Sequence, residues 1–174
     1  MSIPPAPAAR LPLPQWAYVP GETAEAGADH DTLWRAKALV PPAFRGFVPA
    51  RHPALRYGIA LNDHGFYWES TQILEAVWAA APQGGRERIL LRACIQIATA
   101  NLRLRMQKPH AAALLLGEAL AELNRLDVRK ATAAGDGFAD GFPTAALAEL
   151  LRARLARPIL SKADWIEIGA VGRS

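Results

Sequence analysis

The chain contains 174 residues, of which 51% are hydrophobic and 21% are charged, and its formal net charge is +4. This composition is ordinary for a globular protein, and the length suits one domain with a sizeable core. The small positive excess is weak evidence for a nucleic-acid partner. A single cysteine, Cys94, excludes an internal disulfide and indicates a reducing compartment. No segment has the length and apolarity of a membrane span, so we predict a cytoplasmic protein without a membrane partner.

Residues 1–50 are predicted to form an extended, proline-rich arm. Ten of the fourteen prolines lie in residues 1–53, a density that no continuous helix tolerates. The arm is nevertheless too apolar for a solvated linker, since it contains Leu11, Leu13, Trp16, Tyr18 and Val19. We therefore expect it to pack on the helical body, or on a second copy, and not to form a separate domain. Within it, residues 32–40 are predicted to form a short helix with Asp31 or Thr32 as its N-cap.

Residues 51–174 are predicted to form an all-α, single-domain antiparallel bundle of about five to six helices. Helices are expected at 54–61, 66–81, 86–107, 110–128 and 145–156, separated by Gly and Pro turn signals. Residues 131–142 are predicted to be a loop without the spacing of a calcium site. The tail is expected to dock through Trp165, Ile166 and Ile168 and to fray at 169–174.

The helix predicted at 66–81 organises the rest of the chain. One broad arc of it is apolar and comprises Phe66, Tyr67, Ile73, Leu74, Val77, Trp78 and Ala81. The opposite side carries Trp68, Glu69, Gln72, Glu75 and Ala79, and the helix contains no Lys or Arg. Another element must therefore supply the counter-charge, or that side faces water. An indole opposite the core arc is normally covered, so we expect the arm, a ligand or another protomer against Trp68.

The central helix, 86–107, is apolar over most of its circumference, but Asn101 and Arg105 interrupt the apolar arc. A buried guanidinium without an anionic partner is costly, so Arg105 should either pair with a carboxylate or lie at the edge of the helix. We therefore predict a polar cluster between the two helices. Its members are Tyr67, Trp68, Glu69, Gln72, Glu75, Asn101 and Arg105. The cluster either fixes the register of the helices or forms a pocket for a small molecule or metal.

The remaining candidate groups do not indicate a catalytic centre. The four histidines are scattered over loops and helix starts, with no pair at metal-ligand spacing, and are interpreted as surface or capping residues. Cys94 lies on the apolar side of the central helix and is interpreted as an inert buried thiol. A basic stripe without interleaved aromatic residues, made of Arg86, Arg88, Arg92 and Arg103, favours a solvated face over a nucleic-acid site. We assign no catalytic residue, metal ligand or cofactor.

The helical motif resembles a bacterial family catalogued as domain of unknown function number three hundred and nine. The family pattern is roughly G-x-[FY]-[FW]-E-x-H-E-x-x-E-x-x-W, followed by a helix that contains L-I-Q-L-A. The matching residues are Gly65, Tyr67, Trp68, Glu69, Ile73, Leu74, Glu75 and Trp78, then the run 94–98 and the run 102–106. The likeness covers about residues 54–126, and residues 16–21 resemble the N-terminal extension of a subgroup. The resemblance implies an all-helical bundle and gives no expectation about an activity.

Where the family pattern has His-Glu, this sequence has Thr71-Gln72. A His at 71 with Glu75 would form an i, i+4 pair that can hold a metal, whereas Thr and Gln are poor ligands. Our leading hypothesis is therefore a non-enzymatic helical scaffold or interaction module that forms a homodimer through the arm and the Trp68 side. The first alternative is a small-molecule or metal pocket, with hydrolase-like chemistry, centred on Glu69 and Glu75. The second alternative is a nucleic-acid accessory protein that uses the arginine stripe.

Overall fold

The computed structural model describes residues 11–23, 29–127 and 135–171. These residues contain seven α-helices and no β-strand, which confirms the predicted all-α class. The helices are α1 (His30–Ala38), α2 (Pro53–Asp63), α3 (Tyr67–Ala80), α4 (Arg86–Arg105), α5 (Pro109–Asp127), α6 (Phe138–Gly141) and α7 (Thr144–Leu155), followed by a 3-10 turn at Lys162–Asp164. The helix beyond the predicted five to six is α6, a single turn in the segment predicted as loop. Part of that segment, residues 131–134, lies outside the described residues.

Side-chain caps fix where the first two helices begin. The N-cap of α1 is Asp29, whose carboxylate accepts the N–H of Thr32 at 3.2 Å. The prediction of Asp31 or Thr32 as this cap was wrong, because both already lie in the first turn. Pro53 opens α2 at a first-turn position, where its missing N–H costs nothing, and His52 caps the helix by accepting the N–H of Ala54.

A tight turn at Gly65 joins α2 to α3. Its φ of +87° lies in the left-handed region, which glycine adopts without the steric penalty of a Cβ. The N–H of Phe66 then returns to the carbonyl of Leu61 at 2.8 Å, so that α3 begins at once. The turn predicted from the glycine is therefore present, and it sets α3 against α2.

The core lies around α4, which packs against both α3 and α5, while α5 also packs against α7. Leu90, Leu91, Cys94 and Ile97 of α4 are completely buried. The helix is thus covered on several sides, as its wide apolar arc indicates. Among the helices of the described residues, none is both long and apolar enough to cross a membrane.

The faces of α3 differ from the prediction. Ile73, Leu74 and Val77 are completely buried as expected, but Trp78 is only half-buried. On the opposite side, for which either a covering element or water was expected, Glu69 is 0% exposed, whereas Glu75 and Ala79 are exposed. A helical projection describes a single helix. It therefore could not reveal that the arm and α1 cover the part of this side that carries Trp68 and Glu69.

The tail after α7 docks on the bundle. Ile166 and Ile168 are buried, as predicted, and Trp165 is half-buried. Fraying from residue 169 was predicted, but the N–H of Gly169 binds the carboxylate of Asp63 at 2.8 Å and Val171 packs against the core. The prediction was therefore wrong for 169–171, while residues 172–174 lie outside the described part of the chain.

Candidate functional site

The carboxylate of Glu69 lies at the junction of α3 and the arm. Its Oε2 accepts the backbone N–H of Tyr18 at 2.8 Å, while Oε1 is buried and has no hydrogen-bond partner. Burial raises the pKa of Glu69, and the hydrogen bond from Tyr18 opposes that shift. No ion pair compensates this carboxylate among the described residues. The carboxylate therefore holds the arm against α3, although its burial without an ion pair is unfavourable for the charged form.

Trp68 is covered by aromatic rings from the arm and from α1. The ring of Tyr18 meets the indole edge-on at a centroid distance of 5.0 Å, and the imidazole of His30 lies at 6.4 Å. Edge-to-face contacts of this kind add a modest stabilisation beyond the buried area. The arm, one of the three covers expected for Trp68, therefore lies against it.

Tyr57 provides a second anchor for the arm, which sequence reasoning missed. Its hydroxyl donates to the carbonyl of Pro12 at 2.7 Å. Burial, followed by the negative charges of Asp29 and Glu69, raises the pKa of Tyr57 to about 12. The phenol therefore stays protonated and keeps donating over the physiological pH range. Only the apolar content of the arm indicated that it would be held, and nothing in the sequence identified Tyr57 as its partner.

Asn101 joins α4 to α2 and to the tail. Its amide donates to Asn62 Oδ1 at 2.8 Å and to the carbonyl of Ile166 at 2.9 Å, and its Oδ1 accepts the N–H of Ile166 at 2.8 Å. Asn101 is 1% exposed and Asn62 is 0% exposed. The polar residue that interrupts the apolar arc therefore satisfies its hydrogen-bonding groups with another amide and a buried backbone segment, and not with a carboxylate of α3.

The other predicted cluster members lie elsewhere. Arg105 is at the end of α4 and pairs with Glu22 of the arm at 3.1 Å, where both side chains are about half exposed. Glu75 is exposed and Gln72 is half-buried. The ring of Tyr67 lies 6.2 Å from that of Trp165 in the tail. The seven residues thus do not form one cluster, because some contact the arm, some contact the tail and others lie at the surface. Arg105 lies at the helix edge, as one of the two expectations for it had stated.

The positions that depart from the family motif serve local structure. The hydroxyl of Thr71 donates to the carbonyl of Trp68 at 2.6 Å within α3. Among the described residues, no group of three or more His, Cys, Asp or Glu side chains could hold a metal ion. Cys94 is completely buried, and burial raises the pKa of its thiol to about 12. A thiol with so high a pKa is a poor nucleophile at neutral pH.

The arginine stripe of α4 is partly engaged by α3. The guanidinium of Arg88 lies 4.1 Å above the ring of Trp78, that of Arg92 lies at 5.7 Å, and Arg88 also donates to the carbonyl of Ala81. A cation over an indole is a favourable contact. The half-burial of Trp78 follows from this arrangement, because cationic side chains cover the face that core residues leave open.

Comparison with known proteins finds a family match for part of the helical unit. No curated protein and no solved structure matches the chain. The model of the family described as Domain of unknown function (DUF309) matches residues 55–115. The match runs from α2 into the first turns of α5, and it contains the Gly65 turn, Glu69 and the Asn101 bridge. Over residues 55–115 the chain therefore matches the DUF309 family, which confirms the resemblance predicted from the motif around Gly65.

Proposed function

We propose that the protein is a non-enzymatic helical interaction module that forms a homodimer. The observation that supports this proposal is the exposure of large apolar side chains on the arm, on α1 and at the C-cap of α1. Four of the six large hydrophobic side chains exposed among the described residues lie there, and we call them the aromatic face: Leu13, Trp16, Trp34 and Leu39. Tryptophan is enriched at protein interfaces and contributes strongly to their binding energy.

The aromatic face results from the way in which the arm and α1 use their other residues. Helix α1 buries Leu33 and Ala36 and turns Trp34 outward, with 72% of its surface exposed. In the arm, Tyr18 covers Trp68, whereas Trp16 remains 49% exposed. Two exposed tryptophans in short, well-anchored segments form a pre-organised surface, which lowers the entropy cost of association.

The surroundings of Trp16 favour a second copy of the same chain as the partner. A cleft of about 320 Å³ lies beside Trp16 and is bordered by Asp29, His30 and Asp31. Helix α1 carries both signs of charge, with Asp31 near its start and Lys37 in its last turn. In a twofold dimer each surface meets itself, so a protruding indole and a nearby cleft can complement each other twice. We propose that Trp34 of each copy enters the cleft beside Trp16 of the other.

The enzymatic alternative receives less support from the geometry. The carboxylate of Glu69 lies under the arm, while Glu75 is exposed on the same helix. The two groups therefore do not converge on one open site, which general acid-base chemistry would need. Metal content of the untagged protein, compared with Glu75→Gln, tests this alternative, and a steep salt dependence of nucleic-acid binding tests the other.

The test of the proposed dimer compares two matched variants. Trp34→Glu places a charge in the aromatic face, while Leu114→Glu places one on α5 at a residue that is also 72% exposed. We expect Trp34→Glu to raise the dimer dissociation constant at least about tenfold, because burying an unpaired carboxylate opposes association. Leu114→Glu should leave that constant unchanged. Equal constants for wild type and Trp34→Glu in sedimentation equilibrium would contradict the proposed interface.

A further inference from the structure

A second cleft lies between α2, α6 and the docked tail. Its volume is about 450 Å³, within the range of about 300–1,000 Å³ typical of small-molecule sites. We call it the tail cleft. Its apolar wall consists of Ile59, Ala60, Phe138, Phe142, Ile168 and Val171.

The tail cleft is held open by anchored backbone. The carboxylate of Asp63 accepts the N–H of Ile168 at 2.7 Å and that of Gly169 at 2.8 Å. A Cβ on Gly169 would collide with that carboxylate, so a larger residue at 169 would require Asp63 to shift from its present position. On the other wall, the N–H of Phe138 binds the carbonyl of Val48. The two walls are thus fixed separately, and the cleft is preformed.

One cation borders this apolar space. Arg56 lines the cleft from α2, is exposed, and forms no ion pair within the described part of the chain. Asp63, the other charged residue of the lining, lies seven residues later on the same helix, a rise of about 10 Å. Its oxygens already accept three N–H groups, from Asn62, Ile168 and Gly169. Among the charged side chains of the lining, the guanidinium of Arg56 is therefore the one available to bind a ligand, and it lies at one end of the cleft.

We propose that the tail cleft binds a small amphipathic carboxylate, with its head group at Arg56 and its hydrocarbon body against the apolar wall. A guanidinium donates two parallel N–H bonds to a carboxylate, and this pairing is among the stronger hydrogen-bonded contacts in proteins. The ligand body packs on Phe142 and Val171 and is removed from water. This site is independent of the proposed dimer, because none of its lining residues belongs to the aromatic face.

Calorimetric titration with decanoate, and with 1-decanol as the neutral counterpart, tests the site. Decanoate should bind saturably, and Arg56→Gln should weaken it about tenfold, the loss expected for one charge-assisted contact. Arg51→Gln is the matched control, because Arg51 is also exposed but does not line the cleft. It should leave binding unchanged, and 1-decanol should bind wild type and Arg56→Gln equally, which shows that the cleft is intact.

A second variant locates the site. Gly141 lines the cleft, and a Cβ built there meets nothing within 4 Å, so the first atom of a new side chain is accommodated and Gly141→Leu is the variant of choice. It should weaken both decanoate and 1-decanol at least about tenfold by occupying the apolar space. The proposal is overturned if decanoate shows no saturable binding up to about 1 mM. It is also overturned if Arg56→Gln or Gly141→Leu binds decanoate like wild type, or if Arg51→Gln weakens it equally.

Discussion

The backbone N–H of Tyr18 donates to the carboxylate of Glu69 at 2.8 Å and so joins two residues that are 51 positions apart. The bond fixes the arm on α3, and the arm in turn covers Trp68. Because the second oxygen of Glu69 is buried without a partner, the junction contains a carboxylate that burial disfavours in its charged form. The same contact thus determines where the arm lies and how stability should depend on pH.

Glu69→Gln should make the protein less sensitive to rising pH. Burial raises the folded-state pKa of Glu69 above its ordinary value of 4.5. The stability that its protonation contributes is therefore complete below that value and is lost as pH rises through the folded-state pKa. Glutamine is neutral and keeps an oxygen for the N–H of Tyr18. We expect the variant to be more stable than wild type by about 1 kcal/mol at about pH 8, and equally stable at about pH 4.

Urea unfolding at the two pH values measures this difference. Glu75→Gln is the matched control, since Glu75 is exposed on the same helix and should change stability little at either pH. Burial also raises the pKa of Asp63 and of Glu87, so wild-type stability alone does not isolate Glu69. A Glu69→Gln variant that is less stable than wild type at about pH 8 would show that the charged form of Glu69 is favourable.

Asn101→Ala should destabilise the protein by about 3 kcal/mol, because it leaves the N–H of Ile166 and Oδ1 of Asn62 buried and unpaired. Asn124→Ala is the control, since Asn124 is exposed and makes only a long contact with Arg152. Chemical denaturation measures both changes. If Asn101→Ala lost less than about 1 kcal/mol, the bridge between α4 and the tail would not contribute the stability assigned to it.

Two helical glycines should respond oppositely to alanine. At Gly58 of α2, an added Cβ would lie 2.7 Å from a methyl carbon of Leu74, so the substitution overpacks the crossing of α2 and α3. Gly58→Ala should therefore destabilise by about 1–3 kcal/mol despite the better helix propensity of alanine. At Gly117 of α5 nothing lies within 4 Å, and Gly117→Ala should stabilise by about 1 kcal/mol. Thermal unfolding midpoints that shift in the same direction would contradict the packing at Gly58.

Cys94 should resist thiol reagents in the folded protein. The side chain is completely buried, and burial raises its thiol pKa to about 12. At about pH 8 only a very small fraction is thiolate, the form that reacts. We expect a disulfide reagent to label less than about a tenth of the protein in the time that labels the urea-unfolded chain completely. Rapid labelling of the native protein would show that α4 opens readily.

The sequence determined most of the helices because their limits depend on local chemistry. Gly65, Pro53 and Pro109 each mark a helix boundary within one helical turn of their own positions. The predicted ends of α3 accordingly lie within one residue of the observed ones. The cap of α1 was misplaced because three residues within one helical turn, Asp29, Asp31 and Thr32, can all accept an N–H. The choice among them depends on the φ and ψ angles of the residues before the helix, and the helix propensities of amino acids do not give those angles.

The contacts of the candidate site were harder to predict because they depend on distant segments. The sequence showed that the carboxylates of α3 have no cationic partner within the helix. The partner of Glu69 is a backbone N–H of the arm and not a counter-charge. Likewise Asn101 was recognised as an exception in α4, but its partners, Asn62 and Ile166, are 39 and 65 residues away. Backbone groups have no sequence signature, so a pattern of side chains cannot identify them as partners.

Sedimentation equilibrium of the wild-type protein tests the central claim, that this helical module forms a homodimer. The chain has a mass of 18.8 kDa. We predict that the apparent mass rises with protein concentration towards that of two chains, because the exposed indoles of Trp16 and Trp34 become buried on association. An apparent mass that stays at that of one chain, from about 1 μM to about 1 mM, would contradict the claim, because this range includes even weak dimers.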